Sequence, residues 1–359
     1  MTVVGPDRKP LTLGEKLDIL PGIAAIALVA IYSTITAPFR SKQDAPTLFL
    51  HIAYAILRKS TLRLSPKQLQ LIQPHSDLVY DRYARSAGFT ADTVELAHGS
   101  KGHWIGDKTS KNVLIWFHGG GFCLPSNPGY FKFFTRVIKS AKAAGKDLAV
   151  FAITYDLAPG AVYPTQLTQC VEGLRYILGT GKWKPSHVFL GGDSAGGNLA
   201  VGVLSHLAHP HPQIKKIAIK EELGGTALIA PWAWLDEEQS RIPRYSGGDI
   251  VSPPISLRWI RSYLGGQQRD NYTDPMDAPG SWFETFPVQK VLVLGGEHEV
   301  LLPLIEQFTD KLREGLPDTE LFVGPGEAHV APVYNILVGD NTETQQGRKL
   351  KIWLNELLH

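Results

Sequence analysis

Cysteine is scarce in this chain of 359 residues. The two that occur, Cys123 and Cys170, are too few for a disulfide framework or a metal cluster. Charged residues make up 19% of the sequence and leave a formal net charge of +2, with no basic stripe and no acidic tail. The composition therefore gives no sign of nucleic-acid binding. Repeats and low-complexity segments are also lacking. Hydrophobic residues reach 43%, enough for a sizeable core, and the length allows one large α/β domain or two smaller ones.

One stretch near the N-terminus contains no charge at all. Residues 19–39 are uncharged and lie between Asp18 and Arg40. About 20 apolar residues in a helix span a bilayer, so we predict a single-pass transmembrane anchor here, although Pro21 and Gly22 weaken the run. A cleaved signal peptide is disfavoured because the run starts late and is long. A buried or interfacial helix stays open as an alternative. Basic residues lie on both sides, so the topology is not predicted.

The rest of the chain divides into a helical part and an alternating part. Residues 47–57, 65–72 and 76–87 carry apolar residues at helical spacing. Beyond residue 90, short apolar runs alternate with helical stretches, which predicts a mostly parallel sheet flanked by helices. The candidate strands are 92–97, 113–118, 148–154, 187–190, 227–230, 291–294 and 320–323. The candidate helices are 129–144, 165–179, 194–208, 255–264, 301–314 and 342–358.

These patterns give a domain plan. We expect an N-terminal tail (1–18), the apolar helix (19–39), N-terminal cap helices (40–88) and a main α/β domain (89–359). The segment at about 236–265 is rich in proline and glycine before a short helix, and we interpret it as an insertion that completes the cap.

The most specific motif is G-D-S-A-G at residues 192–196, directly after an apolar run and before a helical stretch. A nucleophilic serine needs a sharp strand-to-helix turn, and glycines two before and two after Ser194 leave room for it. The following helix also directs its positive end at the serine. The alternative is an ordinary helix-capping serine in a glycine-rich turn.

The second motif is H-G-G-G-F at residues 118–122, after another apolar run. Backbone N–H groups stabilise an oxyanion, and glycines leave them accessible. We assign the donors to Gly120, Gly121 and Ala195. His118 is expected to brace the loop, with Asp193 as a second supporting residue. A phosphate-binding loop is the alternative, but no G-x-x-x-x-G-K-[ST] pattern is present.

The base and the acid should follow the serine along the chain. His329 lies on a loop after the last candidate strand and is the predicted base. The acid is expected after the strand 291–294, where Glu297 and Glu299 both occur. We favour Glu299, and Glu297 stays open.

Taken together, these residues resemble the hormone-sensitive-lipase-like branch of the α/β-hydrolases, over roughly residues 90–359. The matching pieces are residues 118–122 (H-G-G-G-F), 192–198 (G-D-S-A-G-G-N), 155–159 with 163–164 (Y-D-L-A-P and Y-P), 230–232 (A-P-W) and 299–301 (E-V-L). Two departures stand out. Glutamate replaces the branch's usual aspartate at position 299, and Asp156 and Gly160 replace its charged R and E.

The resemblance implies a serine esterase that needs neither a metal nor an organic cofactor. A narrower similarity to fungal steryl acetyl hydrolases implies a lipophilic ester substrate, such as an acetylated sterol, terpenoid or other secondary metabolite. It also implies a place in the endoplasmic reticulum membrane. The sequon at Asn271 would be glycosylated if that domain were lumenal. The alternatives are a non-hydrolytic biosynthetic enzyme on the same triad and, less favoured because His329 is present, an inactive receptor. Oligomeric state is not predicted.

Overall fold

The computed structural model describes residues 9–241 and 244–359. Within them, eight strands form one sheet in the order β1-β2-β4-β3-β5-β6-β7-β8. The strands are β1 (Thr93–Glu95), β2 (Lys101–Ile105), β3 (Asn112–Phe117), β4 (Leu148–Thr154), β5 (Val188–Asp193), β6 (Gly225–Ile229), β7 (Val291–Gly296) and β8 (Glu320–Gly324). Strand β2 is antiparallel to both neighbours, whereas the pairings from β4 to β8 are parallel. The prediction of a mostly parallel sheet is confirmed.

Helices flank this sheet, and the central strands β3 and β5 are buried at every residue. The helices are α1 (Leu13–Leu17), α2 (Ile19–Thr36), α3 (Leu48–Arg63), α4 (Pro66–Ile72), α5 (Ser76–Ala87), α6 (Pro128–Ala143), α7 (Thr165–Gly179), α8 (Ala195–Ala208), α9 (Pro254–Leu264), α10 (Leu302–Gly315), α11 (Ala331–Val338) and α12 (Gln345–Leu357). Strands buried on both faces carry continuous apolar runs, which explains why the sequence located them well.

Apart from the short helix α1, which lies in the predicted N-terminal tail, two elements were not predicted from the sequence. Strand β2 begins K-G-H, which interrupts the apolar pattern, yet it pairs on both sides with β1 and β4. The buried His103 ring is accommodated there because the hydroxyls of Thr93 and Thr154 lie 2.9 and 3.0 Å from its nitrogens. Helix α11 is only eight residues long and follows the loop of His329 directly. Both elements form through tertiary contacts that no local pattern reports.

The parallel arrangement brings functional loops to one edge of the sheet. Asp193 at the end of β5 pairs with Ile229 at the end of β6, and Gly296 at the end of β7 pairs with Gly324 at the end of β8. The loops that follow these strands therefore leave the sheet side by side. In open α/β sheets, this carboxyl edge is where ligands bind.

Hydrogen bonds connect the cap helices to the sheet domain and to each other. Tyr54 on α3 donates a buried hydrogen bond of 2.5 Å to Asn335 on α11. Arg258 on α9 donates to the carbonyl of Leu64, at 2.9 Å, and so joins the 236–265 segment to the end of α3. The two parts of the chain interpreted as a cap thus contact each other.

The uncharged N-terminal run is helical, as expected. Helix α2 covers Ile19–Thr36, and a short 3-10 turn continues it through Ala37–Phe39. From Leu13 to Phe39 the chain is long and apolar enough to cross a membrane, with a mean hydropathy of 2.0 over an 18-residue window. Length and composition alone are weak evidence for a span, because signal sequences share them.

Candidate active site

Ser194 occupies a strained turn between β5 and α8. Its backbone has φ 51° and ψ −118°, a conformation that costs a non-glycine residue free energy and is held only by its surroundings. The Ser194 N–H donates to the carbonyl of Ile229 and its carbonyl accepts from Trp232, at 2.9 and 3.0 Å. A Cβ on Gly192 would overlap the backbone of Gly196, so this crossing of the chain requires glycine. The turn carries the serine at the positive end of α8.

The glycine loop after β3 approaches the same point. Gly120 and Gly121 have φ values of 103° and 59°, and a Cβ on Gly121 would overlap the indole of Trp259. In the part of the chain that the structure describes, no protein acceptor takes the N–H of Gly120, Gly121 or Ala195. These three N–H groups, which the sequence motif predicted as oxyanion donors, are therefore left without a protein partner in the described residues.

Asp193 holds this loop in place from beneath. Its buried carboxylate accepts hydrogen bonds from Trp116 Nε1 (3.0 Å), the Gly119 N–H (3.1 Å) and the Tyr130 hydroxyl (2.7 Å). Burial raises the pKa of Asp193 to about 6, although these donors favour the charged form. The residue before the serine thus fixes the glycine loop opposite it.

His118 is a neutral part of the same loop. Its Nδ1 donates to the Gly119 carbonyl at 2.8 Å, and its ring stacks on Tyr155 with centroids 4.3 Å apart. The Tyr155 hydroxyl also donates to the His118 carbonyl at 2.7 Å. Burial lowers the pKa of His118 to about 4, so the ring is uncharged at neutral pH. These contacts hold the glycine loop in position, which is the supporting role expected for His118.

His329 and Glu299 meet across the loops that follow β8 and β7. His329 Nδ1 lies 3.0 Å from Glu299 Oε1, and both side chains are buried. The second oxygen of Glu299 accepts the Gly296 N–H at 2.6 Å. Glu297 instead accepts the N–H of Gly326 on the neighbouring loop, at 2.7 Å. Of the two carboxylates left open by the sequence, Glu299 is the one that contacts the histidine.

A third carboxylate, Asp249, joins these two loops and was missed from the sequence. Its oxygens accept the His329 N–H at 2.9 Å and the Val300 N–H at 2.7 Å, and it also caps the N–H of Ile250. Asp249 is fully buried. It lies in the insertion between β6 and β7, where no motif marks it, so only the folded chain shows its role.

The neighbouring carboxylates change the pKa of His329. Burial alone lowers the pKa of His329, but the hydrogen bond and charge of Glu299, followed by the charge of Asp249, outweigh it. The pKa of His329 is therefore raised above 6.5.

Ser194, His329 and Gly120 line one cavity of about 260 Å³. Cap residues form most of its remaining wall, among them Leu57, Leu69, Ile255 and Trp259, and Leu301 and Leu304 contribute from the chain after β7. No hydrogen bond joins the Ser194 hydroxyl to His329 among the described contacts. Such bonds are often long before substrate is bound. The arrangement offers a hydroxyl, an imidazole backed by a carboxylate, and free amides around an apolar space.

Four aromatic residues in or near the cap occupy different environments. Trp232 and Trp259 line the cavity. Tyr263 packs away from it, stacked on Phe122 with centroids 3.6 Å apart, and Trp234 packs against the hydrophobic core.

A family model for the alpha/beta hydrolase fold matches residues 114–333, which is more than half of the chain. The chain therefore belongs to the α/β-hydrolase family. Its motifs and relatives place it in the hormone-sensitive-lipase-like branch. A solved esterase of the bacterial hormone-sensitive lipase family superposes with a TM-score of 0.63 at 20% identity, covering 88% of this chain and 100% of that one, which shows the shared fold.

Two curated relatives illustrate the match. Probable carboxylesterase 5 of Arabidopsis thaliana is 33% identical over 263 residues, covering 67% of this chain and 76% of that protein. Steryl acetyl hydrolase 1 of Saccharomyces cerevisiae is 30% identical over 129 residues, covering 35% and 28%. The chain spans only about half the length of several other curated relatives, 56% of one and 40% of another.

The pair of glutamates provides a matched test of the site. We expect Glu299→Gln to lower the pKa of His329, because the imidazolium loses a charged partner. Glu297→Gln should leave that pKa unchanged, since its carboxylate faces Gly326. Titration of the imidazole by NMR measures both. A drop in Glu297→Gln but not in Glu299→Gln would contradict the pairing.

Asp249→Asn tests the bridge between the loops. An amide presents N–H groups to donors, so we expect unfolding free energy to fall by about 1–3 kcal/mol, and the pKa of His329 to fall as well. Denaturant unfolding and the same NMR titration are the measurements. Glu238→Gln, an exposed position of the same segment, is the control. An Asp249→Asn protein with unchanged stability and an unchanged His329 pKa would refute the bridging role.

Proposed function

We propose that this chain is a serine carboxylic-ester hydrolase with Ser194 as nucleophile, His329 as base and Glu299 as acid. The observation that carries the proposal is the buried contact between Glu299 and His329, on the same cavity as a serine at a strained helix start. The names of the relatives, carboxylesterase and acetyl hydrolase, agree with it.

The reaction is a two-step acyl transfer. His329 takes the proton of the Ser194 hydroxyl, and Oγ attacks the ester carbonyl. The resulting oxyanion accepts hydrogen bonds from the N–H groups of Gly120, Gly121 and Ala195, each worth roughly 3–4 kcal/mol in barrier height. His329 then protonates the leaving alcohol. Water, deprotonated by His329, attacks the acyl-serine. The Ser194 oxygen leaves and takes the proton back from His329, and the carboxylic acid is released.

The carboxylate of Glu299 supports this cycle by holding the proton on Nδ1 of His329. That leaves Nε2 unprotonated and free to accept the serine proton, and it stabilises the imidazolium that forms. The buried Asp193 supports the donors and not the base, since its hydrogen bonds go to the glycine loop.

The substrate we propose is a lipophilic ester, such as the acetate of a sterol, terpenoid or other secondary metabolite. The apolar cavity wall favours it, because burying an apolar alcohol stabilises the complex by roughly 25 cal/mol per Å². We also propose association with a membrane, in the endoplasmic reticulum, through the apolar helix α2. Glycosylation at Asn271 remains a prediction. The domain limits predicted above, with catalysis in residues 89–359, stay part of this proposal.

A panel of p-nitrophenyl esters of increasing chain length, beside a sterol acetate, tests the reaction. We expect release of acid from lipophilic esters, and Ser194→Ala should lower kcat roughly 10⁴–10⁶-fold because the nucleophile is lost. If no ester were turned over while Ser194→Ala still abolished conversion of a natural substrate, a non-hydrolytic enzyme would be the better assignment. Tight ligand binding without any turnover would indicate a receptor.

The pH dependence follows from the raised pKa of His329. The base must be neutral, so kcat/KM should fall on acidification with its midpoint above 6.5. In Glu299→Gln the midpoint should move to lower pH while the plateau falls. A wild-type profile that is flat between pH 5 and 8 would contradict His329 as the base.

A further inference from the structure

The exposed apolar side chains of this protein are concentrated in one layer. Among the described residues, 16 large hydrophobic side chains are exposed, and 14 of them lie between residues 13 and 78, in α1 to α5 and the turn after α2. The two others are Tyr245 and Ile352. Exposed apolar surface on this scale marks an interaction site. We call the helices α1 to α5 the apolar layer.

Helix α2 lies along α3 and does not stand free. The two are joined by a short connection, and α2 is buried near both its ends, at Gly22 and Ser33. At Gly22 the missing side chain admits Leu64, which follows α3. Asp18, just before α2, forms a double hydrogen bond with Arg63 at 2.8 and 2.5 Å. These contacts fix α2 and α3 as an antiparallel hairpin.

Helix α3 is in turn fixed to the catalytic domain. Arg58 donates to the backbone carbonyls of Gly247 and Asp249, and Tyr54 bonds Asn335. If α2 crossed a bilayer upright in this arrangement, α3 would enter the hydrocarbon with Arg58 and Lys59. Each such charge costs at least about 2.5–3.5 kcal/mol. The structure therefore favours a hairpin lying along the membrane surface.

The net positive charge of the apolar layer indicates the kind of membrane surface that it would bind. Residues 13–87, which span α1 to α5, contain nine Lys and Arg and five Asp and Glu. Basic side chains beside exposed apolar ones are typical of helices that lie in an interface containing anionic lipid.

The same helices form a wall of the cavity. Leu57 and Thr61 of α3 and Leu69 of α4 line it, while Leu71 and Ile72, at the end of α4, are exposed. Helix α4 is tied to the start of α2, because Gln68 donates to the Glu15 carbonyl and to Asp18. The wall of the cavity and the exposed apolar side chains thus belong to one rigid unit.

We propose that the apolar layer lies in the surface of an anionic bilayer, with α2 parallel to that surface, and that the cavity receives its lipophilic ester directly from the lipid. This inference rests on the proposed esterase function for the ester, but the membrane seating is measured separately.

Site-specific labelling tests the seating in the full chain. Because Cys123 and Cys170 are fully buried, a new surface cysteine can be labelled selectively with an environment-sensitive NBD dye. On vesicles of phosphatidylcholine with phosphatidylserine, dye on Ile72→Cys should brighten and shift to the blue. Dye on Ile352→Cys, the control outside the layer, should not. If the label at position 72 stayed in water while the protein was membrane-bound, the flat seating would be overturned.

A pair of charge substitutions tests the delivery of substrate. In Leu71→Lys/Ile72→Lys we expect turnover of an ester dissolved in the vesicles to fall roughly tenfold, because lysine opposes burial in the interface. Hydrolysis of water-soluble p-nitrophenyl acetate should be unchanged, and Ile352→Lys should affect neither. Equal turnover of the vesicle ester by wild type and double variant would refute delivery from the lipid. If the wild type did not hydrolyse p-nitrophenyl acetate at all, that result would instead count against the esterase proposal itself.

Discussion

The contact between Glu299 and His329 is the one on which the rest of the site depends. It joins two loops that are 30 residues apart in sequence and that leave adjacent parallel strands, β7 and β8. Both side chains are buried, so each would be costly without the other. Asp249 adds a second connection by accepting a backbone N–H from each loop. The insertion that supplies Asp249 therefore does two things: it covers the cavity and it fixes the spacing of the histidine and its carboxylate.

The opposite side of the cavity is held by a different buried carboxylate. Asp193 accepts hydrogen bonds from Trp116, Gly119 and Tyr130, and so ties the end of β5 to the glycine loop after β3. Its position directly before Ser194 couples the strained serine turn to the amide donors. Strain at the serine is thereby maintained by contacts that also orient the donors. Buried carboxylates thus organise both halves of the site, with Glu299 and Asp249 at the histidine and Asp193 at the glycine loop.

The N-terminal helices connect this site to the surroundings of the protein. They form the cavity wall inside and the apolar layer outside, and the hairpin of α2 and α3 is held to the sheet domain through Arg58 and Tyr54. The lipophilic ester that we propose as substrate and the membrane seating that we propose for these helices are chemically consistent with each other. The orientation of residues 19–39 therefore depends on α3, because the contacts between the two helices determine whether the run could cross a membrane or would lie along its surface.

The sequence by itself determined the fold class, the serine turn, the glycine loop and the histidine. Each depends on residues close together in the chain: glycines where a Cβ would collide, apolar runs in strands buried on both faces, and a fixed chain order of motifs. Tertiary structure decided what local patterns cannot encode. It paired Glu299 and not Glu297 with His329. Both carboxylates lie on the same loop, and the folded path of that loop directs one to His329 and the other to Gly326. Tertiary structure also formed β2 and α11 from weak local signals, and brought Asp249 to residues 51 and 80 positions further along the chain through contacts that exist only in the folded protein.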